Sequence, residues 1–139
     1  MTDLELIQKA IEARAHAYAP YSRHRVGAAV LCENGETYAG CNVENCVYPL
    51  ARCAEQVAVS NAVSHGRTKF SKLAVVTGNQ DLSMPCGACR QFLREFGEDM
   101  EVVVAGPDGK KWKSFQLKAI LPLAFSPEAV QKGRDGRHS

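Results

Sequence analysis

An α/β sandwich built around a mixed sheet is the fold class this sequence predicts. Two observations carry the prediction: a hairpin signal at Asn34-Gly35 between two runs of strand character, and strands alternating with helix-period segments through the middle of one 139-residue chain. Hydrophobic residues make up 45% of the chain, enough for one domain to bury a core without disulfides.

The elements follow in order. Asp3 reads as an N-cap, and Leu4, Ile7, Ile11, Ala15 and Tyr18 recur at helical spacing, so an amphipathic helix is expected over 3–18, stopped by Pro20. Residues 26–32 and 36–42 flank Asn34-Gly35 as two antiparallel strands. A helix over 53–65 ends at Gly66, a short buried strand covers 73–77, and a second such helix over 86–96 ends at Gly97. The last strands, 101–105 and 110–115, are joined at Pro107-Asp108-Gly109 and lead to a short helix near 116–121.

Composition removes several function classes. The first stretch carries acids and bases throughout and is expected not to be a secretory signal; no run approaches the ~18 apolar residues of a membrane span. A formal net charge of +2 is too small for a nucleic-acid footprint, and the basic residues at Lys110, Lys111, Lys113, Lys132, Arg134 and Arg137 read as solvated surface. Six cysteines in a chain of this size, two of them in a Cys-x-x-Cys pair, fit reduced thiols and a cytoplasmic location. Cys32, Cys41 and Cys46 read as small buried hydrophobes.

The chemistry is concentrated in Cys53-Ala54-Glu55 and Pro85-Cys86-Gly87-Ala88-Cys89. A structural zinc takes four protein ligands, whereas a catalytic zinc takes three and leaves one position to water. Only Cys53, Cys86 and Cys89 have ligand spacing, so the site has a non-protein ligand. Glu55, two residues after the first cysteine, is too close to be a natural fourth ligand but is well placed to exchange protons with the activated water. At helix openings each sulfur meets free N–H groups and the positive end of the helix dipole, which favours thiolate. Three thiolates on one dication make an electron-rich site that neighbouring donors must offset.

These two motifs resemble the signature of the small, all-cysteine cytidine deaminases, a pattern known across zinc deaminases. Ala19-Pro20-Tyr21-Ser22, Val26-Gly27-Ala28-Ala29, Gly40-Cys41-Asn42-Val43-Glu44-Asn45, Cys89-Arg90-Gln91 and Leu121-Pro122 with Phe125 extend the likeness over most of the chain. The resemblance implies a three-layer α/β/α sandwich with a five-stranded mixed sheet, the cytidine deaminase-like fold. Residues 1–139 would form a single catalytic domain with a mobile C-terminal tail over 128–139. It implies one Zn2+ per chain and hydrolytic deamination of cytidine and deoxycytidine, a pyrimidine salvage reaction: water activated at zinc attacks C4, and Glu55 delivers a proton to N3 and then to the departing amino group. Asn42 and Glu44 resemble the pair that grips the ribose 3′-hydroxyl, suited to it because a hydroxyl both donates and accepts. His24 stands where relatives carry a phenylalanine beside the nucleoside, and Ala54 joins the substrate-binding set. Tyr48 and Phe125 match positions that reach across subunit boundaries, which implies a homotetramer with shared sites.

Gln56 occupies a position where the family usually has arginine donating to zinc-bound sulfurs; Arg52, directly before Cys53, is the expected substitute. Three competing readings have their own signatures. A deaminase for a cytosine-bearing antibiotic such as blasticidin S would lose the ribose grip that Asn42 and Glu44 retain. A nucleic-acid base editor would need a basic channel and usually a His ligand. A structural-zinc binding module would need a fourth ligand and has no use for Glu55.

Overall fold

The computed structural model describes residues 1–135. Its five-stranded sheet has the order β2-β1-β3-β4-β5, with β3 and β4 parallel and the other pairs antiparallel. The elements run α1 (Asp3–Arg14), β1 (Gly27–Cys32), β2 (Thr37–Cys41), α2 (Ala54–Ser64), β3 (Phe70–Val76), α3 (Gly87–Arg94), β4 (Glu101–Ala105), β5 (Trp112–Gln116), α4 (Leu117–Ile120) and α5 (Pro127–Asp135).

Period-two alternation in the inner strands divides the core into two layers. Ala74, Val76, Val103 and Ala105 pack with Leu6, Ile7 and Ala10 of α1 on one face. Leu73, Val75, Val102 and Val104 pack with Val59 and Ala62 of α2 and Leu93 of α3 on the other. The three-layer α/β/α sandwich with a five-stranded mixed sheet is therefore the observed architecture.

Two glycines set the spacing of these layers. A Cβ on Gly27 would stand 2.0 Å from the Ala10 carbonyl oxygen, so α1 rests directly on β1. A Cβ on Gly40 would stand 2.5 Å from the Ala58 amide nitrogen, and its partner across the hairpin, Ala28, packs with Ala54 and Ala58. Small residues on both surfaces thus let the first turn of α2, which carries Cys53 and Glu55, sit close on the sheet.

Several element ends depart from expectation. Thr2, not Asp3, caps α1, its hydroxyl accepting from the Glu5 N–H at 3.1 Å. The helix stops at Arg14 rather than near 18. His16 and Ala17 close a tighter turn onto Ala13 and Arg14, and the Tyr18 N–H leaves the helix ladder for the Asn42 carbonyl at 3.0 Å. β3 begins at Phe70, three residues before its expected start, because Cys32 of β1 pairs with Phe70 across a register shift. Cys32 is buried, but Cys41 is half-buried and Cys46 exposed, which corrects the expectation of three buried thiols. Cys46 lies between β2 and the 3-10 turn Tyr48–Leu50, a stretch that puts no residue in the core.

α5 had no counterpart in the sequence reading. Ser126 opens it, its hydroxyl accepting from the Ala129 N–H at 3.1 Å, and none of its residues is buried. The expected tail over 128–139 is thus helical to Asp135; the rest of that expectation, with Arg137, lies outside the described residues. Among the described residues no helix is long and apolar enough to cross a membrane.

Candidate metal centre and active site

Two helix N-termini on the same face of the sheet build the site. Cys53 is the N-cap of α2 and Cys86 the N-cap of α3, both in extended backbone, so each sulfur lies beside the unsatisfied N–H groups of a first turn. The Cys89 N–H donates to the Cys86 sulfur at 3.4 Å. The three sulfurs lie within 4.8 Å of one another, and no other His, Cys, Asp or Glu of the described residues joins the cluster. Three sulfurs on a tetrahedral zinc at ~2.3 Å would be roughly 3.8 Å apart, so the donor set fits the ion with little movement. Sulfur donors of this kind suit zinc over hard cations.

The thiols are already unequal in acidity. Cys53 is lowered to about 7, first by a hydrogen bond from the Cys89 thiol, with the Arg52 charge a smaller contribution in the same direction. Cys89, as donor to Cys53 and buried, is raised. A dication entering the cluster displaces the proton the pair holds between them.

Glu55, in the first turn of α2, is 4% exposed and stands outside the sulfur cluster. Burial raises its carboxyl above the ordinary range, opposed by donation from its own N–H and from the Cys89 thiol. It is a carboxyl group biased toward holding a proton, next to the three-sulfur cluster.

A cavity of about 320 Å³ brings most of the expected residues together. The three cysteines, Ala54 and Glu55 line it, and so do His24, Asn42 and Glu44. The side chains of Asn42 and Glu44 are both held by backbone groups, Glu44 by the Ser22 hydroxyl as well. Asn42 donates from Nδ2 to the His24 carbonyl at 2.7 Å and accepts at Oδ1 from the Val26 N–H at 2.9 Å. One donor hydrogen and one lone pair of that amide remain for a ligand. Glu44 accepts at Oε1 from the N–H groups of Tyr21 (2.9 Å) and Ser22 (3.1 Å), and at Oε2 from the Ser22 hydroxyl. These bonds, Ser22's first, hold its carboxyl below the usual range.

The remaining sequence-derived residues lie elsewhere. Gln56 is outside the cavity, but its Nε2 donates to Cys89 Sγ at 3.8 Å. Arg52 lines the cavity, yet the hydrogen bonds of its guanidinium go to the Pro49 and Ala51 carbonyls at 3.1 and 2.9 Å and not to a sulfur. Tyr48 (76% exposed) borders a neighbouring cavity, and Phe125 (65% exposed) follows α4 with its carbonyl accepting from Gln91 at 2.8 Å.

Sequence reasoning assigned no role to three other groups. Tyr21 and Ser22 hold Glu44; their motif was visible, but its partner 22 residues away was not. Arg90 donates to the Pro85 carbonyl and the Ile120 carbonyl, both at 2.8 Å, tying the loop before Cys86 to α4. Thr77, buried at the end of β3, lines the cavity and accepts from the Asn79 N–H.

The family model of the cytidine and deoxycytidylate deaminase zinc-binding region matches residues 1–106. The chain belongs to the cytidine and deoxycytidylate deaminase family. Cytidine deaminase of Sporosarcina psychrophila is 44% identical over 125 residues, covering 89% of this chain and 91% of that protein. Cytidine deaminase of Mycobacterium tuberculosis is 41% identical over 125 residues, 90% of each. The crystal structure of cytidine deaminase from Burkholderia pseudomallei superposes with a TM-score of 0.86 at 41% identity, covering 90% of this chain and all of that one. The fold is thus that of the cytidine deaminases, and the cysteine triad fits the family's zinc-binding region, one zinc per chain.

Proposed function

We propose that this deaminase hydrolyses cytidine and deoxycytidine to uridine and deoxyuridine, releasing ammonia in pyrimidine salvage. The observation that supports it most is one cavity lined by both a three-thiol cluster with a buried carboxyl group and a fixed carboxylate–amide pair. The thiols and buried carboxyl group suit attack on a ring carbon, and the carboxylate–amide pair suits a sugar. In this reading Cys53, Cys86 and Cys89 would hold zinc, which would supply the Lewis acidity that makes water a nucleophile at neutral pH. Glu55 holds a proton, gives it to N3 as C4 is attacked, takes one back from the hydroxyl added at C4 and passes it to the departing amino nitrogen, so that the C4–N bond breaks and ammonia leaves. Glu44 and Asn42 orient the nucleoside through the 3′-hydroxyl, a group that cytidine and deoxycytidine share. Ala54 and His24 border the nucleoside.

The test is loss of cytidine absorbance with purified, zinc-loaded protein, repeated with deoxycytidine, free cytosine, cytidine monophosphate and blasticidin S. Turnover of the two nucleosides, with free cytosine and blasticidin S spared, is the expected result. Preference for blasticidin S would replace the ribose reading. Metal analysis should return about one zinc per chain, and chelation should abolish turnover.

A homotetramer belongs to the same proposal. Tyr48, Leu50, Val47, Leu123 and Phe125 are all more than half exposed, apolar side chains that association would cover. Sedimentation or light scattering at micromolar concentration reads the mass directly, and a monomer would refute shared sites. A cytoplasmic location completes the proposal, supported by the free cysteines.

A further inference from the structure

We infer that Ser22 is a positioning residue that makes the enzyme selective for a nucleoside bearing a 3′-hydroxyl, by fixing the rotation of the Glu44 carboxylate. The inference rests on the proposed reading of Glu44 as the ribose-binding carboxylate.

Glu44 borders two cavities. One is the cavity of the cysteine cluster; the other, about 340 Å³, is lined by Tyr21, Ser22, Asn45, Tyr48 and Ala51 as well. A carboxylate in that place has somewhere else to turn, so its usefulness depends on what holds it. The hold comes from residues 21–24. Oε1 accepts two backbone N–H groups, from Tyr21 and Ser22, while Oε2 accepts only the Ser22 hydroxyl. The rotor of that hydroxyl is itself set, because its oxygen accepts from the His24 N–H at 3.0 Å and its single hydrogen is left for Glu44. Arg23 between them takes the left-handed conformation (φ 61°), and its N–H returns to the Ala19 carbonyl at 2.9 Å, which curls the segment round the carboxylate.

A carboxylate offers about four acceptor sites. Oε1 has both of its sites taken by backbone and Oε2 has one taken by Ser22, so a single acceptor site remains for a ligand. A ligand hydroxyl donating to Oε2 fills it, and an analogue lacking that hydroxyl leaves it empty on a half-buried carboxylate. Without the Ser22 hydroxyl, Oε2 has two open sites and one fewer anchor, and selectivity for the 3′-hydroxyl relaxes.

The experiment compares kcat and KM on cytidine and on 3′-deoxycytidine for the zinc-loaded enzyme and for Ser22→Ala, Ser22→Thr, Ser22→Cys and Glu44→Ala, with zinc content matched. The expected result for Ser22→Ala is a loss of about tenfold or more in kcat/KM on cytidine, carried mainly by KM. The ratio of cytidine to 3′-deoxycytidine efficiency falls with it, and Ser22→Thr recovers most of that ratio. Should Ser22→Ala not fold, Ser22→Cys keeps the size with a weak donor and reads the same ratio. Equal losses on both substrates would mark Ser22 as a structural turn residue and overturn the inference. An unchanged ratio in the Ser22 variants, with the ratio lost in Glu44→Ala, overturns the inference and leaves the ribose reading standing. An unchanged ratio in Glu44→Ala overturns both.

Discussion

The side-chain amide of Gln56 donates to the sulfur of Cys89 across the 3.8 Å between the first turns of α2 and α3. Arg52, which the sequence nominated for that duty, gives its hydrogen bonds to the Pro49 and Ala51 carbonyls and reaches Cys53 only through its charge. Gln56→Ala is therefore expected to weaken zinc retention by ~10-fold or more, the scale of a lost partner of a metal ligand. Arg52→Ala should have the smaller effect. Competition with a chelator reads both, and a stronger effect from Arg52→Ala would return the role to the guanidinium.

On the proposed role of Glu55 as proton carrier, Glu55→Gln removes that carrier and keeps the shape. Turnover should drop ~10²- to 10⁴-fold while zinc content stays the same. The amide also removes the tendency of this buried group to hold or lose a proton, so thermal stability should not fall. Near-normal turnover in the zinc-loaded variant would take the acid-base role away from Glu55.

Gly40→Ala inserts a methyl group 2.5 Å from the Ala58 amide nitrogen and 2.7 Å from a Val57 methyl. The closest obstacle is helix backbone, so α2 must lift from β2. We expect a loss of ~1–3 kcal/mol in stability, typical of overpacking, together with reduced zinc content because Cys53 caps the displaced helix. Denaturant unfolding and metal analysis test it; an unchanged midpoint would mean the interface is looser than these distances imply.

Glu36 accepts from Arg67 at 2.7 Å and from the Tyr38 hydroxyl at 2.5 Å, and the Arg67 bond leads in lowering its carboxyl from 4.5 to about 2. A carboxyl depressed in the folded state stabilises above its unfolded pKa, and that contribution is lost as pH falls through the folded value. The stability difference between the protein and Glu36→Gln should be constant above about pH 5 and shrink towards pH 2. Both partners are partly exposed, so the difference should be small and salt-sensitive. A difference that grows on acidification would contradict the assignment.

The chain by itself determined what depends on short spacings. The hairpin at Asn34-Gly35, the alternation of strands with helices, and the placing of Cys53, Cys86 and Cys89 at helix openings are all read within a few residues, where helical and strand periods act directly. Two boundaries failed for reasons that are not local. α1 ends at Arg14 because Tyr18 leaves the helix ladder for Asn42, and β3 begins early because Cys32 pairs with Phe70. α5 escaped notice because it buries nothing, so no apolar period marks it, although Ser126-Pro127 before Glu128 was a readable start. The site divides in the same way. Ligand spacing named the metal cluster and Glu55, while tertiary structure alone decided which donor touches a sulfur and what holds Glu44. Gln56 and Cys89 are 33 residues apart, Ser22 and Glu44 are 22 apart, and no local period relates either pair. They meet because α2 and α3 open on the same face of the sheet and because Val43 bridges Tyr18, register that exists only once the strands have paired.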